Sequence, residues 1–194
     1  METNGGALKL FVSLNDYSKL AGLIDEGESE NLYLECKSPA TPNLDNEKKV
    51  KLAQAVSGFS NTEGGIIIYG VSTTKHGHSG LDILSQIEDI GNCHNFARQI
   101  ESAIPTLTTP SITNCKVKII KKLPTDSKGV VAIYIPKFKG DPIQSNKDDI
   151  FYFRNGCEFT KLPYEMLKRL FASTESPDLH IVFDSRVIKL NNDI

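Results

Sequence analysis

No apolar run in this chain approaches the roughly 20 residues that a helix needs to cross a bilayer. The opening METNGGALKLF has no basic segment followed by a long apolar stretch, so it does not read as a secretory signal. A cytoplasmic protein with no membrane attachment is therefore expected. Excess charge is also scarce: the formal balance is −2. That removes any global attraction to nucleic acid or acidic membranes and leaves local patches as the only anion sites. Cys36, Cys93, Cys115 and Cys157 contain no C-x-x-C pair, so reduced thiols are expected. Gly64-Gly65 lacks the Lys-Ser/Thr of a nucleotide-binding P-loop, and no G-x-S-x-G nucleophile turn occurs. The histidines match no helical or finger-type metal spacing. His76-Gly77-His78 reads as an exposed loop, and Cys93-His94 with Cys115 and Cys157 as core thiols rather than a zinc site.

What is present is ordinary globular material. The chain has 194 residues, 39% apolar and 24% charged, enough for a core in one domain with an appendage. Residues 1–14 read as an N-terminal extension, 15–172 as the domain, and 173–194 as a linker (TESPD) and the start of a further strand or domain (LHIVFDSRVIKL). Residues 13–25 carry Leu14, Tyr17, Leu20 and Ile24 near helical spacing. A second helix over 46–61 carries Leu52, Val56 and Phe59 at i, i+4, i+7, with Asp45 placed to cap it. NTEGGIIIYGV has three isoleucines in a row and no polar face, which predicts a buried central strand. STTKHGHSG follows as a loop, and helical segments are expected over 81–104, with Phe96, Ile100 and Ile104 as their stripe. Strands are expected at 115–123 and 129–136, a hairpin on Asn155-Gly156 within 148–159, and a last helix at 162–173 with Met166, Leu167, Leu170 and Phe171 on one face. This order is an α+β domain.

The stretch ESENLYLECK, residues 28–37, carries the chemistry. In a strand over 31–37, side chains alternate: Leu32, Leu34 and Cys36 take the core face, Tyr33, Glu35 and Lys37 the other. Glu30 has the parity of the apolar face, so it belongs to the turn before the strand, from which it can fold back beside Glu35. Lys48, Lys49 and Lys51 sit in the first turns of the second helix, the wrong sign for its positive dipole end. They read either as a solvated face or as contacts to a phosphate backbone. Lys37, Lys116–Lys121, Lys137, Lys139 and Arg154 are the other cations placed for such contacts, with Lys37 and Arg154 expected on exposed strand faces.

ENLYLECK, AVSGFSNTEGGIIIYGV, VAIYIP and FYFRNG, in that order, resemble the Schlafen AlbA-like domain over residues 15–172. That family's signature is an acidic-x-x-x-x-Glu-Phe-Lys strand, an Ala-Phe-Ala-Asn-Thr-x-Gly-Gly helix end, a buried strand ending in Gly-Val, and a late Tyr-x-Arg-x-Gly hairpin. The resemblance implies a mixed sheet flanked by helices that binds nucleic acid. Vertebrate relatives cleave transfer and ribosomal RNA; bacterial ones occur in regulators labelled DNA- or ATP-binding and in defence proteins. In the nuclease members two glutamates five apart and an aspartate just after Gly-Val bind a metal. Glu30 and Glu35 match the first two, and Lys37 the basic position that follows. The resemblance thus implies Glu30, Glu35 and Lys37 as catalytic residues, with Glu30 and Glu35 holding Mg²⁺ or Mn²⁺.

Here Gly70-Val71 is followed by Ser72-Thr73-Thr74, so the third carboxylate is missing, and Cys36 replaces the usual aromatic. Glu63 and Asp82 are candidates to supply the acid. The expectation is a domain binding RNA or DNA through Lys37, Lys48, Lys49, Lys51, Lys137, Lys139 and Arg154, with a degenerate nuclease site. An active metal-dependent endoribonuclease acting on tRNA or other structured RNA is the alternative, and a protein–protein assembly module is a third reading. A homo-oligomer or a further C-terminal domain is left open.

Overall fold

Gly65–Tyr69 lacks a polar face because helices cover it from both sides. In the computed structural model, which describes residues 6–38, 41–77 and 80–174, the order is α1 (Gly6–Ser13), α2 (Tyr17–Asp25), β1 (Leu34–Lys37), α3 (Asn46–Ser60), β2 (Gly65–Tyr69), β3 (Val71–His76), β4 (Leu81–Ile87), α4 (Cys93–Ala103), β5 (Thr108–Thr109), β6 (Lys116–Ile120), β7 (Val130–Ile135), β8 (Gln144–Ser145), β9 (Ile150–Asn155), β10 (Glu158–Lys161) and α5 (Tyr164–Thr174). The central sheet has the order β1-β2-β7-β6. Its β1–β2 pair is parallel and the others antiparallel, so the sheet is mixed. Successive isoleucines then face opposite layers. Ile66 and Ile68 pack with Phe11 and Leu20 on the α1–α2 side, and Ile67 packs with Val56, Phe59 and Phe96 on the α3–α4 side. The fold is α+β.

A second sheet, β10-β9-β8-β5, lies against α3, and β3 pairs with β4 as a separate ribbon. The joint between α3 and β2 needs glycine. Gly64 has φ +76°, and a Cβ there would lie 2.9 Å from both the Ile135 carbonyl oxygen and the Lys137 amide nitrogen.

Several expectations change. The helix expected over 13–25 begins only at Tyr17: the Asp16 carboxylate accepts from the Lys19 amide at 2.9 Å and starts α2 there. α1 lies within residues 1–14 and buries Ala7 and Phe11. Residues 71–76 and 81–87 form strands rather than a loop and a helix. Here the β-branched Thr73 and Thr74 extend the chain, and Gly70, with φ +105°, lets β3 follow β2 directly. β1 is shorter than the 31–37 expected, because Asn31 and Leu34 bond to each other across a turn. Asn155 pairs with Glu158, so the hairpin loop is Gly156-Cys157, one residue later than expected. On α5, Tyr164 and Met166 are exposed, Leu167 and Leu170 are half-buried, and the Phe171 ring meets that of Phe151 edge-on with centroids 6.0 Å apart. His78, most of TESPD and LHIVFDSRVIKL lie outside the described residues. No helix among the described residues is long and apolar enough to cross a membrane.

Candidate functional site

β1 is an edge strand of the central sheet, so part of its backbone has no neighbouring strand to bond. Glu30 supplies the partner. It leaves the turn before β1, folds back, and its Oε1 accepts from the Cys36 amide at 2.8 Å. Its own amide donates to the Asp82 carbonyl at 2.8 Å, which ties the turn to β4. Glu30 therefore meets Glu35 from a loop, as its parity requires.

Glu35 is not on an exposed face, contrary to the alternation reading. It is 4% exposed, because its side of β1 lies beneath the second sheet rather than solvent. Arg154, on β9, meets it there. Nη1 donates to Glu35 Oε2 at 2.5 Å, and Nη2 to the carbonyls of Asn31 at 2.9 Å and Leu34 at 3.1 Å. The guanidinium carbon lies 4.5 Å from the Phe159 ring centroid and 5.3 Å from that of Phe59. The expectation of an exposed, phosphate-binding Arg154 is thus corrected: its side chain is 0% exposed. A buried guanidinium with five donors persists only where they find acceptors, and β1 with its preceding turn presents them. Lys37, half-exposed, forms an ion pair with the other oxygen, Glu35 Oε1.

These contacts set the protonation chemistry. Burial, and next the charge of Glu35, push the Glu30 carboxyl up to about 7. Burial, with the charges of Glu30 and Glu35 behind it, holds the Cys36 thiol well above its ordinary value, so it is not a nucleophile at neutral pH. Lys37 and Arg154 bring two positive charges against the single negative charge of Glu35. With Glu30 protonated the cluster is therefore cationic by one charge, and with Glu30 ionised it is neutral.

The other expected residues do not gather here. Lys48 is turned back on its own helix start, donating to Asp45 Oδ2 at 2.7 Å, Thr41 Oγ1 at 2.6 Å and the Asn43 carbonyl at 3.0 Å. It stabilises the loop and cap rather than a distant phosphate. Asp45 caps α3 as expected, accepting from the Lys48 amide at 2.9 Å. Lys137 is paired with Glu63 at 2.7 Å, so that carboxylate is already engaged by a cation. Lys51 and Lys139 are exposed, and Lys49 lines a cleft at the other end of α3. Ser72 Oγ lies 3.4 Å from Ser85 Oγ and from the Gln86 carbonyl, bonded within the β3–β4 ribbon.

One row of residues escaped the sequence reading. Ser57, Asn61 and Thr62 join α3 to the second sheet. Asn61 Nδ2 donates to the carbonyls of Ile143 and Tyr152, each at 2.8 Å, and its Oδ1 accepts from the Ile143 amide at 2.7 Å. Ser57 Oγ accepts from the Tyr152 amide at 3.0 Å, and Thr62 Oγ1 from the Arg154 amide at 3.0 Å. The signal was a polar stripe at i, i+4, i+5 on an otherwise buried helix. It positions Arg154 over Glu35.

The Schlafen, AlbA_2 family matches residues 30–163. No curated protein matches. Among solved structures, the DIP2311 protein of Corynebacterium diphtheriae aligns with a TM-score of 0.52 at 16% identity, covering 88% of this chain and 29% of that one. The chain thus spans less than a third of that relative. The N-terminal domain of a putative ATP-dependent DNA helicase RecG-related protein from Nitrosomonas europaea aligns with a TM-score of 0.51 at 12% identity, covering 90% of this chain and 99% of that one. Both likenesses speak for the fold. With the matched segment running from Glu30 through the Arg154 hairpin, the chain belongs to the Schlafen AlbA_2 family.

Proposed function

We propose that this chain is a cytoplasmic nucleic-acid-binding domain, for RNA or DNA, whose carboxylate pair is structural rather than catalytic. The observation that carries the reading is the saturation of Glu35: Lys37 takes one oxygen and Arg154 the other. A hard dication needs several free oxygen ligands. Glu30 has spent one oxygen on the Cys36 amide, and Ser72 and Thr73 bring no charge where the nuclease relatives carry an acid. Among the described residues no three His, Cys, Asp or Glu side chains gather to hold a metal. The residues present do not fit Mg²⁺ or Mn²⁺, and cleavage of tRNA by a metal-bound water is not part of this reading.

Binding is supported by the half-exposed Lys37 and exposed Lys51, Lys137 and Lys139, by the family, and by the helicase-related name of one structural relative. The contact is electrostatic, made to phosphate, so it carries little sequence preference. The test is fluorescence anisotropy with tRNA, single-stranded DNA and double-stranded DNA over a salt series. Affinity that falls steeply with salt and weakens in Lys37→Ala supports the reading. Undetectable binding at low salt, or a Lys37→Ala variant that binds like the parent, rejects it.

A further inference from the structure

We infer a second anion site, built to take a phosphate monoester, in a cleft of about 460 Å³ lined by Leu44, Lys49, Arg98, Gln99, Ser102 and Lys147. The cleft lies between the start of α3, the second half of α4 and the segment before β9, and its size is that of small-ligand sites. Three cations from three separate parts of the chain converge on it, and no carboxylate lines it. Lys37 and Arg154 are paired with Glu35, Lys48 with Asp45, and Lys137 with Glu63. Lys49, Arg98 and Lys147 form no such ion pair among the described residues. Like charges held around one concavity repel, and a dianion relieves that repulsion more than a singly charged phosphodiester does.

The local structure supports the same ligand. Gln99 Oε1 accepts from the Leu44 amide at 2.9 Å, which fixes the side chain and leaves its Nε2 as a donor at the cleft. The carbonyl of Ala103, at the negative end of α4, is answered by the Thr106 hydroxyl at 2.8 Å, so the helix end opposes an anion less. Arg98 offers a planar fork suited to two phosphate oxygens. The site is separate from Glu35: Lys49 begins α3, whereas Thr62, beneath Arg154, follows its end, on the order of 20 Å away. The inference rests on no part of the Glu35 reading. The same dianion is carried by a free 5′-nucleotide and by a 5′-phosphorylated nucleic-acid end.

The experiment is a titration of the full chain, followed by amide chemical shifts, with 5′-AMP, adenosine, and a short oligonucleotide bearing either a 5′-phosphate or a 5′-hydroxyl. The expected result is saturable shifts at Lys49, Arg98 and Gln99 with AMP and none there with adenosine or the 5′-hydroxyl strand. Affinity should fall about tenfold or more in Arg98→Ala, the loss of a charge-assisted contact. Shifts from the 5′-phosphorylated strand as well identify nucleic-acid ends as a source; shifts from AMP alone identify the free nucleotide. Arg98 is exposed, so its variant keeps the fold, which thermal melting checks. The inference is overturned if no phosphorylated probe shifts these amides at millimolar concentration and low salt. Unchanged AMP affinity in both Arg98→Ala and Lys147→Ala overturns it equally.

Discussion

Arg154 Nη1 lies 2.5 Å from Glu35 Oε2, joining β9 of one sheet to β1 of another across 119 residues of sequence. The pair is out of solvent on both sides. Removing Arg154 leaves the buried Glu35 with Lys37 alone and takes a donor from the Asn31 and Leu34 carbonyls, so Arg154→Ala should cost roughly 3–5 kcal/mol. In a chain of this size that lowers the melting temperature by on the order of 10 °C. Arg154→Lys should recover little, since an ammonium cannot reach Glu35 and two carbonyls with one planar fork. In a double-mutant cycle with Glu35→Gln the two losses should be strongly non-additive. Additive losses, or an Arg154→Ala chain as stable as the parent, would show the pair to be incidental.

Glu30 makes stability depend on pH. Its carboxyl is raised from 4.5 to about 7 in the fold, so between those values the folded chain holds a proton that the unfolded chain has released. Stability is then fully present below about pH 4.5, falls as pH rises to about 7, and levels off above. The loss is on the order of 3 kcal/mol. Glu30→Gln keeps an oxygen for the Cys36 amide without the charge, and should remove that slope. Urea melts of both proteins from pH 4 to 8 make the comparison; parallel profiles would contradict the assignment.

Asn61 holds the second sheet to α3 through three hydrogen bonds. Asn61→Ala removes the partner of the Ile143 amide and of the Tyr152 carbonyl, while the Ile143 carbonyl keeps the Ser57 hydroxyl, and should cost about 1–3 kcal/mol. The loosening should be local, so amide exchange should accelerate at β8 and β9 more than at β2 and β7. Uniform acceleration would place the joint elsewhere.

Gly64→Ala should destabilise by about 1–3 kcal/mol. Its φ of +76° disfavours any side chain, and the new Cβ meets main-chain atoms that cannot rotate away. Ile67→Asp, with a carboxylate between β2 and the α3 layer where Ile67 is 1% exposed, should prevent soluble folding. Soluble expression of Ile67→Asp with unchanged circular dichroism would disprove the two-sided burial.

The legible parts of the sequence were those set by local physics. Three isoleucines announced a strand covered on both faces, Asp45 announced a helix cap, and the parity of Glu30 announced a loop carboxylate returning to β1. Glu35 and Arg154 were misread for one shared reason. Alternation along a strand tells which residues share a face, not what covers that face, and here the cover is a hairpin far along the chain. The β3–β4 ribbon was hidden because Gly, His and Ser between its strands read as a loop while Leu81, Ile83 and Leu84 mimic a helical start. The polar row on α3 was visible as a pattern, but its partners on β8 and β9 were not.

The central claim is that Glu35 is clamped by Lys37 and Arg154 and holds no catalytic metal. Incubation of the full chain with labelled tRNA and with single- and double-stranded DNA, each with and without Mn²⁺, followed by binding and by product length on a denaturing gel, tests it most directly. The expected result is salt-sensitive binding that Mn²⁺ does not alter, with every substrate left intact. Mn²⁺-dependent cleavage that disappears in Glu30→Gln and in Glu35→Gln would contradict it.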